Sequence, residues 1–203
     1  MGMPSACLWI LLGGGLPQEP APAPREDPLS SEPTWRADGI RAATLLSVWG
    51  MREFHALTPS GQRSLDPGAM TSVGLELGYD HGLLCASATL ENSGRGDLDV
   101  WVAGLHVGIR TPVPLEEDRT LRLTVGLLRG TADVEADGFG EFEDAFGLEA
   151  RLGLTLEPAP GWEIGLFGAY RLLAFDYTPP VDSGDEELRG RSFVGGATLA
   201  FRF

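Results

Sequence analysis

A chain of 203 residues carries 29 Asp and Glu against 15 bases, all of them arginine, and this net charge of -14 argues against nucleic acid as a partner because phosphate binding needs a basic face. At 43% apolar residues the chain is too hydrophobic for a disordered one, yet no run of about 18 apolar residues is present to form a membrane-spanning helix. The 28 glycines, about twice ordinary usage, favour strands and turns over helices.

The first segment, 1–23, reads as a secretory signal. Ala6 to Leu12 form a short apolar stretch of h-region length, followed by Gly13, Gly14 and Gly15, and Ala21-Pro22-Ala23 supplies small residues for cleavage. The bulk of that stretch follows Cys7 and does not precede it, the wrong order for a lipoprotein. Residues 24–39 are polar and proline-rich with no period, and are expected to form a flexible leader. Cys85 is then the one cysteine beyond the signal and forms no internal disulfide; a small residue on a strand is its expected role.

From Ile40 onward the helical period is absent and period 2 dominates. Eight strands are predicted, at about 40–54, 69–79, 83–91, 97–110, 119–131, 144–157, 161–176 and 191–203, nearly all reaching the ~9–11 residues that a tilted strand needs to cross a bilayer. Six alternate cleanly. Val73, Leu75, Leu77 and Tyr79 oppose Ser72, Gly74, Glu76 and Gly78; Phe146, Leu148, Leu152 and Leu154 oppose Glu149, Arg151, Gly153 and Thr155. The first strand is ambiguous, since Leu45-Leu46 and Val48-Trp49 put bulk on both faces, and the third is weak.

The polar faces decide which side is inside. They mix charges with glycines, and an eight-stranded barrel has an interior only wide enough for side chains to fill. A glycine beside a Glu or Arg leaves that room; on a watered surface it would only weaken the strand. The charged face is therefore predicted to line the lumen and the Leu/Val/aromatic face to meet lipid. Closure is required too, because only a closed sheet leaves no unsatisfied edge in hydrocarbon.

The connections follow the expected asymmetry. Segments near 55–68, 92–96, 132–143 and 177–190 fall on one side, and the shorter 80–82, 111–118 and 158–160 on the other, although 111–118 exceeds 92–96. Aromatics fall near presumed rims, with Tyr79, Trp162 and Phe203 at the inner girdle and Trp101, Phe146, Tyr170 and Phe193 toward the outer one. The last strand ends Thr198-Leu199-Ala200-Phe201-Arg202-Phe203.

This terminal signature, with the strand pattern over 40–203, resembles the small eight-stranded outer-membrane β-barrels such as the OmpA transmembrane domain, OmpX and OmpW. The resemblance implies an all-β, antiparallel up-and-down transmembrane barrel, integral to the bacterial outer membrane and recognised by the barrel-assembly machinery through Phe203. It implies lipid and lipopolysaccharide as surroundings and a monomer as the expected state. It carries over no functional residue.

Inside the lumen an ionic cluster is expected from Glu76, Arg110, Arg122, Glu149, Arg151, Glu163 and Arg171, with Glu149 close to Arg171. Its structural role is a watertight core; its functional alternative is a gate. The loop 133–144 spaces carboxylates as a calcium loop does, with Gly138 at the sixth position, but has Glu135 and Asp144 where other residues are usual, and strands flank it. It is expected to be an acidic surface, with divalent cations as possible bridges to lipid headgroups. His55, His81 and His106 are too scattered to form a metal cluster or catalytic dyad. No cofactor is expected. The leading expectation is a non-enzymatic structural or surface-interaction barrel. The alternatives are a narrow low-conductance pore, an outer-leaflet lipid hydrolase using His55 with Ser60 or Ser64, and a soluble lipocalin-like barrel.

Overall fold

The computed structural model describes residues 38–58, 61–65, 68–95, 98–114, 116–134, 141–178 and 186–203. The expected signal and the leader up to residue 37 lie outside them, as do Ser60 and most of the 133–144 loop. The strands are β1 (Gly39–Thr58), β2 (Gly61–Leu65), β3 (Gly68–His81), β4 (Leu84–Arg95), β5 (Leu98–Val113), β6 (Glu116–Val134), β7 (Glu141–Ala159), β8 (Trp162–Thr178) and β9 (Glu186–Arg202). β2 and β3 face β1 in one register, Leu65 opposite Phe54 and Gly68 opposite Met51, so the two form one stave. Neighbouring staves pair antiparallel in chain order, and β9 returns to β1 with Arg202 opposite Arg41. The result is a closed barrel of eight staves.

The register fixes the shape. Stepping across paired residues from Arg41 through Gly78, Ser87, His106, Gly126, Glu149, Arg171 and Ser192 arrives at Met51, ten residues further along β1. Such a stagger tilts the staves by about 35–45°, so each residue advances roughly 2.5 Å along the axis.

One end of the barrel has tight turns. His81 is joined to Leu84, Val113 to Glu116, and Ala159 to Trp162, each across two residues. Gly82 and Gly161 take φ of 56° and 79°, the left-handed conformation such turns need. Asp38 ties the start of β1 to the first turn, accepting the Gly82 amide at 2.8 Å and meeting the His81 ring at 2.7 Å. The Gly82 amide, with His81 beside it, holds the Asp38 carboxyl below its ordinary range.

Three expectations about strands change. The connection foreseen at 111–118 shrinks to two residues, because β5 extends to Val113 and a register shift after Pro112 absorbs the proline. The connection foreseen at 55–68 is a hairpin, β1 running to Thr58 and pairing with β2. The strand foreseen as weak is β4, and it runs on to Arg95.

The surface is inverted relative to a water-soluble fold. Leu148, Leu152, Leu154 and Leu166 are 54%, 52%, 42% and 68% exposed, whereas Arg110 and Arg171 are 1% and 0% exposed. A soluble barrel must place these groups the other way round, so the lipocalin-like alternative is overturned. The ambiguity in β1 resolves by position: Leu45 and Trp49 point into the lumen while Leu46 and Val48 point out.

Candidate functional site

The lumen gathers all seven charged residues foreseen for it, and more. Toward the turn end, Asp80 and Glu163 are each surrounded by arginines. Asp80 accepts Arg122 at 2.9 and 2.6 Å and Arg110 at 3.1 Å, with Arg202 at 3.5 Å. Glu163 accepts Arg41 at 2.8 Å and also pairs with Arg202. Arg110 reaches further down and donates to the Gly82 carbonyl at 2.8 Å.

Higher up lies a second knot. Glu149 accepts the Arg171 Nε at 2.6 Å and the Arg151 Nε at 2.9 Å, and its Oε1 lies 3.1 Å from His106 Nε2. Glu91 accepts Arg151 and Arg171 at 3.1 and 3.0 Å. Glu76 joins the two knots, pairing through one oxygen with Arg41 and through the other with Arg151 at 3.1 Å. The expected Glu149–Arg171 contact is a directly opposed pair between β7 and β8. A buried charge is tolerable only when paired and hydrogen-bonded, and here each carboxylate meets at least two guanidinium groups.

Glycine makes the room. A Cβ on Gly126 would lie 2.2 Å from the His106 ring, and one on Gly196 would lie 2.7 Å from the Phe167 ring. Between the knots is a cavity of about 40 Å³, lined by Arg41, Glu76, Cys85, Arg122, Arg151 and Thr198 among others. That is space for water and nothing much larger.

The loop-end half of the lumen is different in kind. It holds a packed apolar plug in which Leu45, Trp49, Met70, Val100, Val102, Leu128, Leu173, Phe175 and Val194 are buried. The two halves meet through ring faces. Arg171 lies over the Trp49 ring at 4.2 Å and Arg151 over the Phe167 ring at 4.6 Å. Each arginine thus offers its edge to carboxylates and its flat face to the apolar plug.

Arg41, Asp80, Glu91 and Arg202 belong to the network although the expected cluster lacked them. Parity alone would have placed Glu91 and Arg41 inward once β4 and β1 were traced. His106 is inward as its parity foretold, and His81 is at the turn end with Asp38. The side chains of His55 and Ser64 lie outside the described residues, so the hydrolase pairing does too. Of the 133–144 loop, Asp133 is exposed and Asp144 pairs with Arg129 at 2.7 Å, leaving that carboxylate engaged with a cation of the chain itself. Aromatics cluster at the turn end, where the Trp162 and Phe201 rings are 5.1 Å apart and Phe201 and Phe203 are 5.0 Å apart. Higher on the wall, Tyr170 and Phe193 stand 5.1 Å apart.

A closed antiparallel barrel of eight staves, apolar outside and ionic within, is the fold of the small outer-membrane β-barrels. Solved structures with this fold bear the likeness out. The outer membrane protein OprG from Pseudomonas aeruginosa superposes with a TM-score of 0.58 at 9% identity, covering 85% of this chain and 99% of that one. The outer membrane protein AlkL gives 0.57 at 13% identity, covering 83% and 90%. Neisserial surface protein A gives 0.51 at 13% identity, covering 81% and 97%. The sequence matches no family model and no curated protein.

Proposed function

We propose that this chain is a non-conducting, non-enzymatic barrel of the bacterial outer membrane. Its work is done at its surface, through the acidic connections at the loop end. The observation that carries this reading is the doubly closed lumen. An ion following the axis must break a network in which Glu149 and Glu91 share Arg151 and Arg171, and then cross the apolar plug around Trp49 and Phe175. Either barrier is costly alone, because an ion stripped of water in an apolar passage has no replacement ligands. With the lumen closed, the external face is what remains to act. The sequence about its loop-end connections is rich in carboxylates, with Asp133, Glu135, Asp137, Glu141 and Glu143 from the end of β6 to the start of β7, and Asp182, Asp185, Glu186 and Glu187 between β8 and the start of β9. These offer an anionic contact surface and positions that a divalent cation could bridge to lipid phosphates.

Planar-bilayer recording on the refolded full chain tests the reading. The expected result is a flat baseline at all voltages. Discrete conducting steps would overturn it in favour of a narrow pore.

A further inference from the structure

Two buried polar atoms that find no hydrogen-bond partner in the chain stand on the cavity between the knots. They are the Arg122 Nε and the Thr198 hydroxyl. The register shows why the chain leaves them so. Arg122 lies between Arg110 on β5 and Gly153 on β7, the first a cation that accepts nothing and the second without a side chain. Its two terminal nitrogens are held by Asp80 at 2.9 and 2.6 Å, which fixes the plane of the guanidinium and with it the direction of Nε. Thr198 lies between Gly165 on β8 and Leu45 on β1, and neither offers a polar side chain. A Cβ on Gly165 would stand 2.6 Å from the Thr198 hydroxyl, so the glycine keeps the space beside it open.

A buried polar atom left without a partner costs its full desolvation, so two of them on one cavity call for a ligand that can reach both. The size of the cavity limits what that ligand is. A volume of about 40 Å³, at about 10–15 Å³ for each water, holds roughly three waters.

The lining decides between water and an ion. Arg41, Arg122 and Arg151 stand on it, and a metal cation would meet three guanidinium groups. Glu76 stands on it as well, and an anion would meet that carboxylate. The guanidinium charges are moreover matched within the chain: Arg41 by Glu76 and Glu163, Arg122 by Asp80, and Arg151 by Glu76, Glu91 and Glu149. A neutral molecule that both donates and accepts is repelled by none of these groups. Ser87 and Thr124 add hydroxyls to the lining, and each Glu76 oxygen has a lone pair beyond the one it gives to Arg41 or Arg151.

We propose that about three water molecules are permanent ligands of this lumen, seated between the two ionic knots. One accepts from Arg122 Nε, another meets the Thr198 hydroxyl, and the group donates onward to Glu76. The layer ties the knots together a second time, because Arg122 belongs to the turn-end knot through Asp80 and Arg151, on the same lining, to the upper knot through Glu149. It lies below the apolar plug, and it stands whether or not ions pass that plug.

Diffraction from crystals of the refolded full chain, grown with sodium bromide as the sole salt, tests the proposal. Ordered water oxygens are expected within hydrogen-bond reach of Arg122 Nε and Thr198 Oγ1, with no anomalous bromine signal in the cavity. A bromine peak there would overturn the water layer in favour of a small anion. A cavity without ordered density, or one closed by side-chain shifts that give both atoms partners in the chain, would overturn it in favour of dry packing. Stability supplies a second readout through opposite signs. The Ser72 hydroxyl is also buried and unpartnered but does not line the cavity. Ser72→Ala relieves a dry, unpaired hydroxyl and is expected to raise the folding equilibrium constant about fivefold; Thr198→Val keeps the side-chain shape but strips a water-bound hydroxyl, and is expected to lower it about fivefold. A rise for Thr198→Val equal to that for Ser72→Ala would overturn the site.

Discussion

Among the described residues, the lumen below Trp49 holds six arginines, five carboxylates and His106; above it stand mainly packed aliphatic and aromatic side chains, with Ser72, Ser93 and Ser192 between them. Both halves keep bulk water out, but by unlike physics. The ionic half depends on partners, since each charge is tolerable only while its neighbours stand in place. The apolar half depends on volume, and one hydrophobic group of the right size can stand in for another. The same barrel wall thus surrounds a region that is brittle to chemistry and one that is tolerant of it. The Arg171–Trp49 and Arg151–Phe167 stacks are where the two regimes join.

That contrast can be attacked from its strong side. Replacing Arg171 with Met keeps bulk against Trp49 but strips Glu149 and Glu91 of a shared partner. The unfolding free energy of the refolded barrel, read from urea titration in vesicles, should fall by about 3–5 kcal/mol. A loss under about 1 kcal/mol would mean that the network is not the stabilising unit described here. A smaller loss is expected from Gly126→Ala, whose added carbon would meet the His106 ring at 2.2 Å. It should cost about 1–3 kcal/mol, and the double variant with His106→Ala should recover most of that. Purely additive losses would place the clash elsewhere. The least effect belongs to the plug: Leu128→Met should cost less than about 1.5 kcal/mol in the same titration and leave gel mobility unchanged. A loss equal to that of Arg171→Met would erase the distinction between the halves.

How much of this was legible in the sequence follows the same division. Strict alternation on β3, β6, β7 and β8 pointed to the outward leucines and to Glu76, Arg122, Glu149, Arg151, Glu163 and Arg171 as inward, because one face was polar and the other was not. The Glu149–Arg171 pairing followed from the short turn near Ala159, about which β7 and β8 pair. The plug was hidden for the converse reason. Val100, Trp101 and Val102 are apolar on both faces, as are Leu45 and Leu46, and period 2 vanishes when the lumen is as hydrophobic as the lipid. Asp80 sat beside a turn and Glu91 on a strand whose outward face is interrupted by Ala86 and Ala88, so neither stood out.

The pairing of Arg41 with Glu163, 122 residues away, and of Arg202 with Asp80 at the same separation, has a consequence for how the barrel comes into being. These contacts join β1 to β8 and β9 to β3, strands two apart across the β1–β9 seam, and they can exist only once that seam has closed. A ribbon not yet closed would leave Arg41 only Glu76, and Arg202 only Glu163, of the carboxylates each meets in the finished barrel, next to a medium that solvates the remainder poorly. Insertion should therefore favour completion, with the seam between β1 and β9 acting as a clasp whose fastening supplies the missing partners at the turn end.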